Sequence, residues 1–366
     1  MSRLNQLMEL LPSYGLDGMV INPGPSQAYL LGVHFYLFER PIVLLVAPDR
    51  RPALILPLLE VTKAESAPAD LELFPYADNP ATWPAAFQAA GRYLGWDQKP
   101  ALSLGVEVDR LRLLESRFLE AALPQARLAA INPVAQMRMH KDETEIASLR
   151  RAVAIAEAGL TAALPLVKVG MTERDLSAEI GLQTGRAGSE VPGNPMVAAG
   201  PNGANPHAAT SERPLQPGDL VVIDFGAVYA GYCADLTRTL AVGEPPAEYA
   251  RIHQVVLEAN TAGRAAARPG VSAGEIDRAA RAVITAAGYG PYFTHRTGHG
   301  LGSEPHEEPY IYAENALPLE PGMVFTVEPG IYLPGRAGAR VEDDVLITST
   351  GAETLSSMNR ALIVVG

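Results

Sequence analysis

The chain has 366 residues, 48% of them apolar, and a formal net charge of −12 from 29 basic and 41 acidic residues. Its length favours two domains, and its apolar content excludes disorder. Because the basic residues form no cluster, we do not expect nucleic acid or an anionic membrane as a partner. No apolar run is long enough to span a membrane, the N-terminus lacks a secretory pattern and the only cysteine, Cys233, excludes an internal disulfide, so we expect a cytoplasmic protein.

The first 132 residues have the pattern of a small α/β domain. An amphipathic helix is predicted from about Leu4, and apolar runs at 18–21, 41–47 and 52–56, flanked by turn residues, are predicted to be strands. The pattern changes after Asn132-Pro133. We therefore predict an N-terminal domain over 1–132 and a second domain over 133–366.

The second domain is predicted to begin with a long amphipathic helix after Asp142, whose buried positions follow helical spacing. Two further helix starts resemble each other, because Thr172 is followed by Asp175 and Ser272 by Glu275, as in a capping box. The segment from Leu215 to Gly226, LQPGDLVVIDFG, then recurs from Leu319 to Gly330 as LEPGMVFTVEPG. The sequence thus predicts a duplicated unit with an acid at the end of each apolar strand.

Two aspartates flank a predicted hairpin turn in the first copy. A turn at Ala230-Gly231 brings Asp224 and Asp235 roughly opposite each other, and uncompensated like charges at that separation are destabilising. A shared cation removes this cost, whereas solvated acids at strand ends are the better explanation of either segment taken alone.

Three histidines, His295, His299 and His306, fall within 12 residues of a chain that has seven. The glycines around His299 permit a tight loop that holds a ligand. Further on, Arg340 and Glu342 share a strand face. One interpretation is a surface ion pair that contributes little stability. The other is that Glu342 bridges metal ions and Arg340 orients it.

Taken in order, IDFG with Asp235, GHGLGSEPHEEP, VEPGIY and RVEDD resemble the proline-specific peptidases of the pita-bread metallopeptidase family. The resemblance implies an α+β fold in which a duplicated pita-bread catalytic domain follows a smaller α/β N-terminal domain. It also implies two divalent cations per subunit, which offset the charge of four carboxylates. Oxygen-rich ligation favours Mn²⁺, with Co²⁺ or Zn²⁺ as alternatives. The implied metal ligands are Asp224, Asp235, His299, Glu328 and Glu342.

The resemblance further implies catalytic roles for three residues. Glu328 is expected to carry a proton between the attacking water and the departing nitrogen, and His207 and His306 are expected to contact substrate and stabilise the tetrahedral intermediate. The alternative for His207 is an ordinary loop histidine. Four residues are expected to bind substrate or to support the ligands from behind: His295, Arg340, Tyr332 and Tyr310.

The substrate class follows from one departure from the family pattern. Dipeptidases of this family often carry an arginine, suited to a free carboxylate, where this chain has Tyr310. The sequence therefore leans slightly towards an aminopeptidase that acts on longer Xaa-Pro peptides, with an Xaa-Pro dipeptidase (prolidase) as the alternative. Another residue can still bind the carboxylate: Arg336, Arg340, Arg360 or a residue from the N-terminal domain of a partner subunit.

Two other functions of the same fold are disfavoured. A non-catalytic peptide-binding module is not expected, because relatives of that kind have typically lost ligands and all five are present here. A methionine aminopeptidase generally lacks so large an N-terminal domain. The resemblance also implies a homodimer.

Overall fold

A computed structural model describes residues 1–366 and divides them into two compact units, Met1–Arg138 and Met139–Gly366. The predicted boundary before residue 133 falls at the start of the helix Pro133–Met139, at whose other end the two units divide. No helix of the structure combines the length and the apolar character needed to cross a bilayer.

The first unit is built on a six-stranded sheet of order β4-β3-β2-β1-β5-β6. The strands β1 and β2 and the strands β2 and β3 pair antiparallel, and the remaining neighbours pair parallel. The three predicted strands of this region are confirmed as β1, β2 and β3. The strands are β1 (Gly18–Ile21), β2 (Val43–Ala47), β3 (Arg50–Pro57), β4 (Glu72–Tyr76), β5 (Leu102–Val106) and β6 (Ala126–Ala129).

Helices cover both faces of this sheet. Successive strand residues point to opposite faces, so Leu45 packs in a core with Phe87 whereas Leu44 packs in a second core with Leu7. The helices of this unit are α1 (Arg3–Leu10), α2 (Pro25–Leu31), α3 (Val61–Glu65), α4 (Trp83–Tyr93), α5 (Leu113–Ala122) and α6 (Pro133–Met139).

The second unit contains four long helices that form two pairs. The predicted amphipathic helix is α7, and the Asp142 carboxylate caps it by accepting from the backbone N–H groups of Thr144 and Glu145 at 2.9 Å. The predicted capping boxes at Thr172 and Ser272 are confirmed at the starts of α8 and α10. The helices are α7 (Glu143–Ala163), α8 (Glu173–Ala187), α9 (Ala247–Ala266) and α10 (Ala273–Ala286).

Strands of this unit form a four-stranded sheet of order β17-β9-β8-β7, a five-stranded sheet of order β11-β10-β12-β15-β16 and a hairpin of β13 with β14. They are β7 (Met196–Ala199), β8 (Leu220–Tyr229), β9 (Tyr232–Val242), β10 (Gly298–Gly300), β11 (Glu307–Ile311), β12 (Val324–Val327), β13 (Gly330–Leu333), β14 (Ala337–Arg340), β15 (Asp343–Ile347), β16 (Ala352–Thr354) and β17 (Ile363–Val365).

The predicted duplication is visible in matching hydrogen bonds. The Gly170 N–H donates to the Leu215 carbonyl at 2.9 Å, and the Gly270 N–H donates to the Leu319 carbonyl at 2.8 Å. Each bond joins the turn before a capped helix to the segment before an apolar strand, β8 in the first copy and β12 in the second. The two copies therefore have the same hydrogen-bonded connection between helix and strand, in agreement with the duplicated pita-bread domain that the sequence predicts.

The hairpin of β8 with β9 corrects one detail of the prediction. Asp235 stands opposite Gly226, and Asp224 stands opposite Thr237, so the two aspartates are diagonal neighbours on one face rather than directly opposed. The reason is the turn, because Ala230 and Gly231 both have positive φ, 49° and 76°, and occupy a two-residue loop. The hairpin is therefore centred one residue later than the midpoint of the two acids.

Candidate metal centre and active site

The five predicted ligands meet around one cavity of about 220 Å³ in the second unit. Asp224 comes from β8 and Asp235 from β9, whereas His299 lies in β10; Glu328 follows β12, and Glu342 links β14 to β15. The cavity is lined by Pro206, His207, Asp224, Asp235, His295, Arg296, His299, His306, Glu328, Arg340 and Glu342.

The donor atoms of these residues are close enough to share metal ions. In each of three overlapping groups the ligand atoms lie within 4.8 Å of one another: Asp224 with Asp235 and Glu342, His299 with Glu328 and Glu342, and Asp235 with His299 and His306. Two carboxylates, Asp235 and Glu342, and the imidazole of His299 each belong to two groups. The geometry therefore fits more than one cation, and His306 adds a donor that the predicted ligand set did not include.

His299 is neutral and presents an unprotonated Nε2 to the cluster, which suits the binding of a cation. Its Nδ1 donates to the Gly300 carbonyl at 3.1 Å, which leaves the Nε2 lone pair 3.3 Å from Glu328 Oε1 and 3.8 Å from Asp235 Oδ2. Burial lowers the pKa of His299 to about 3, so the ring is neutral. A lone pair facing carboxylate oxygens is repulsive unless a cation or a proton lies between them.

Three of the carboxylates have raised pKa values, which also indicates a site suited to cations. Burial, followed by the charge of Asp224, raises the pKa of Asp235 well above its usual value. Burial, followed by the charge of Asp235, does the same to the pKa of Glu342. Burial also raises the pKa of Glu328 to about 7, against the opposing effect of Arg340. Such a group of acids favours the binding of positive charge.

Arg340 orients two of the acids from behind. Its Nη2 donates to Asp224 Oδ2 at 2.6 Å, and its Nε donates to Thr237 Oγ1 at 3.0 Å. The Thr237 hydroxyl in turn donates to Glu342 Oε2 at 2.6 Å. The predicted relation between Arg340 and Glu342 therefore runs through Thr237, a residue that the sequence did not single out, although it stands two positions after Asp235 on the same strand face.

Tyr332 and His295 extend this network. Arg340 Nη1 donates to the Tyr332 hydroxyl at 3.0 Å, and that hydroxyl lies 2.9 Å from His295 Nε2. Since His295 Nδ1 donates to the Arg296 carbonyl at 2.7 Å, its Nε2 is the acceptor for Tyr332. Burial lowers the pKa of His295 to about 4 and raises that of Tyr332 to about 12, so both groups are neutral, as this pattern needs.

Two more residues that the sequence did not single out hold the ligands. Thr326 Oγ1 accepts from the His299 N–H at 3.1 Å and lies 3.4 Å from Glu328 Oε1. Asp344 Oδ2 accepts from the Asp235 N–H at 3.2 Å. Each lies two positions from a predicted ligand, Thr326 from Glu328 and Asp344 from Glu342. This two-residue spacing is the feature of the sequence that could have identified them.

The remaining predicted residues divide into two groups. His207 and His306 are exposed at the cavity, and the ring of His306 lies 3.8 Å from that of His299. Tyr310 does not line the cavity. Its ring lies under Arg296, whose Cζ is 4.2 Å from the ring centroid, so Tyr310 contacts the cavity lining from behind.

Comparison with known proteins identifies this arrangement. The model of metallopeptidase family M24 matches residues 147–349, which carry all five predicted ligands, and the Creatinase/Prolidase N-terminal domain matches residues 3–140. The chain belongs to metallopeptidase family M24. It is a metallo-exopeptidase with the N-terminal domain that the sequence analysis expected of the Xaa-Pro branch.

Relatives of this M24 peptidase cover almost its whole length. It is 39% identical to the probable dipeptidase PepE of Mycobacterium tuberculosis over 96% of this chain and 92% of the relative. The crystal structure of dipeptidase PepE from Mycobacterium ulcerans has a TM-score of 0.92 and 36% identity, covering 99% of this chain and 97% of that one. An X-Pro aminopeptidase from Thermotoga maritima has a TM-score of 0.85 and 32% identity, with 100% of each chain covered.

Proposed function

We propose that this M24 peptidase is a dinuclear metal-dependent Xaa-Pro dipeptidase. The observation that carries the proposal is the convergence of Asp224, Asp235, His299, Glu328 and Glu342 on one cavity, with ligand atoms within 4.8 Å in overlapping groups. Four of the five donors are carboxylates, which supports Mn²⁺, with Co²⁺ or Zn²⁺ as alternatives.

The slight lean of the sequence towards an aminopeptidase finds no support in the two PepE relatives described above, at 39% and 36% identity, which are named dipeptidases. The alternative that the sequence leaves open, an Xaa-Pro dipeptidase, is therefore the proposed activity.

In the proposed reaction the cations, when bound, lower the pKa of water and polarise the scissile carbonyl. Glu328 is the residue proposed to move the proton, because its carboxylate lies at the cavity with the other ligands. It takes a proton from the attacking water and returns it to the departing proline nitrogen. His299 supplies an unprotonated Nε2 to the metal site.

The exposed histidines are assigned to the substrate. His207 and His306 reach the cavity from separate segments, so their ring N–H groups can donate to the carbonyl oxygen as it gains negative charge. Arg340, Tyr332 and His295 keep the ligands in place without touching the reacting atoms.

Two properties of the proposed enzyme follow from the sequence rather than from the cavity. A homodimer is expected from the family resemblance, and a monomeric mass by light scattering at micromolar concentration would contradict it. The cytoplasm is the proposed location, because a single cysteine, Cys233, fits a reducing compartment.

The test of the function is product analysis by mass spectrometry. Mn²⁺-loaded protein is incubated with Ala-Pro and, separately, with a longer Arg-Pro-Pro peptide, and each reaction is repeated after chelation. Metal-dependent cleavage of Ala-Pro is the expected result. Preferential cleavage of the longer peptide would make the enzyme an aminopeptidase, and silence on both would contradict an Xaa-Pro peptidase.

A further inference from the structure

Two arginines line the metal cavity, and their surroundings are opposite. Arg340 is buried and bonded to Asp224, Thr237 and Tyr332. Arg296 is half-buried and makes no ion pair and no side-chain hydrogen bond, and the ring of Tyr310 is its only aromatic contact. A cavity lined by four carboxylates thus contains one guanidinium whose donors are all available.

The position of Arg296 is nevertheless fixed. Its carbonyl accepts from His295 Nδ1 at 2.7 Å, and the next residue, Thr297, donates its N–H to the Ile311 carbonyl at 2.9 Å. Its guanidinium stacks on Tyr310, whose carbonyl accepts from Asn315 Nδ2 at 2.6 Å. A cation stacked on a held aromatic ring loses little freedom when it binds an anion.

The charges around the cavity give a direction to a bound peptide. The acids Asp224, Asp235 and Glu342 form one part of the lining and are the proposed ligands of the cations, so they leave no free negative charge for Arg296 to pair with. Arg296 is the only cation of the lining without a carboxylate partner. An anionic group of the substrate therefore finds its counter-charge at Arg296.

We propose that Arg296, stacked on Tyr310, binds the free α-carboxylate of a dipeptide and thereby selects dipeptides over longer peptides. The inference rests on the proposed function and deepens it by naming the substrate group that is recognised. In a dipeptide this carboxylate belongs to the residue directly after the scissile bond. In a longer peptide the same carbon is a neutral amide, which offers no bidentate ion pair to a guanidinium.

The other arginines considered from the sequence are each paired already. Arg336 pairs with Glu248 at the surface, Arg360 pairs with Asp343 at 2.7 Å, and Arg340 pairs with Asp224 at 2.6 Å. The sequence has Tyr310 where related dipeptidases often carry an arginine, but the structure brings Arg296 from a neighbouring segment over that tyrosine. A tyrosine at this position therefore does not argue for an aminopeptidase.

The experiment compares substrates that differ only in the group Arg296 is proposed to bind. Steady-state kinetics of the Mn²⁺-loaded wild type and of Arg296→Met are measured with Ala-Pro, its C-terminal amide and Ala-Pro-Ala. We expect the wild type to prefer Ala-Pro to the amide by about 10- to 100-fold in kcat/KM, since a hydrogen-bonded charge contributes roughly that factor. In Arg296→Met this preference is lost, mainly through a higher KM for Ala-Pro.

Two further variants guard the result. Arg296→Lys keeps the charge without the fork and is expected to retain part of the preference. Arg336→Met removes a surface arginine outside the cavity and is expected to leave the acid-to-amide ratio at the wild-type value. A wild type that is active but cleaves the amide or Ala-Pro-Ala as well as Ala-Pro would overturn the inference, as would an unchanged ratio in Arg296→Met. Silence of the wild type on all three substrates would instead contradict the proposed function.

Discussion

The two halves of the second unit place an acid at the same point of the same repeat, yet the surroundings of the two acids differ. Asp224 on β8 accepts a hydrogen bond from Arg340 at 2.6 Å. Glu328 after β12 contacts the neutral His299 Nε2 at 3.3 Å and Thr326 Oγ1 at 3.4 Å, and burial raises its pKa to about 7 against the opposing charge of Arg340. The repeat gives the two acids equivalent positions, and Asp224 has a charged hydrogen-bond donor that Glu328 lacks, in keeping with the proton-carrying role proposed for Glu328.

The largest expected effect comes from removing the proton carrier. In Glu328→Gln we expect kcat to fall by about a thousandfold or more, because the variant can neither accept a proton from water nor return it to the leaving nitrogen. Steady-state turnover of Ala-Pro measures this. The control is Glu320→Gln, which changes an exposed glutamate paired with His140. Near-normal turnover in Glu328→Gln would refute the distinction between the two acids.

The second effect comes from removing the arginine that holds Asp224 in place. Arg340→Met leaves Asp224 without its charged partner and breaks the link to Thr237 and Tyr332. We expect kcat/KM to fall by about 100-fold, the upper range for residues that orient metal ligands. Arg340→Lys should restore only part of it, because an ammonium group cannot make all three contacts. Full activity in Arg340→Met would show that Asp224 needs no fixing.

A smaller effect is expected from the bridge between Arg340 and Glu342. Thr237→Val keeps the shape of the side chain but removes the hydroxyl that donates to Glu342 Oε2. The expected loss is about tenfold in kcat/KM, with weaker binding of Mn²⁺ in a calorimetric titration. Unchanged metal affinity and unchanged kcat/KM would mean that Glu342 is held by other contacts.

The smallest effect concerns the stability of the metal-free protein. The pKa of Glu328 is raised from 4.5 to about 7, so the folded state binds more protons than the unfolded state between these values. This stabilisation is complete below about pH 4.5 and is lost as the pH rises through 7.

In the presence of a chelator we therefore expect Tm to fall by about 3–6 °C between pH 5.5 and pH 8. Saturating Mn²⁺ should reverse the trend, because cations bind the ionised carboxylates. Differential scanning calorimetry at a series of pH values measures both curves. A Tm that stays constant or rises with pH in the chelator would contradict the raised pKa values.

Local patterns explain which parts of this structure were predictable. The capping residues Thr172 and Ser272 mark helix starts through hydrogen bonds within four residues, and the repeated strand segments expose the duplication directly in the sequence. The ligand set was implied by motifs that follow one another in order, so their meeting in one cavity did not require prediction of every strand.

Long-range partners were not predictable in the same way. Thr237 acts between Arg340 and Glu342, and Arg296 lies over Tyr310, because of strand placements that no local pattern encodes. The predicted turn at Ala230-Gly231 is confirmed, but Asp224 and Asp235 lie diagonally across the hairpin rather than directly opposite each other. A turn centred on their midpoint would need Tyr229 in the loop, whereas Gly231 adopts the positive φ of 76° without strain.

The central claim is that five side chains of the second unit hold two metal ions. The most direct test is anomalous diffraction at the manganese edge from crystals grown with Mn²⁺. The account predicts two anomalous peaks in the cavity, each within about 2.0–2.4 Å of ligand atoms from Asp224, Asp235, His299, Glu328 and Glu342, and loss of at least one peak in Asp235→Asn. A single peak, peaks outside the cavity or an unaltered pair in Asp235→Asn would contradict it.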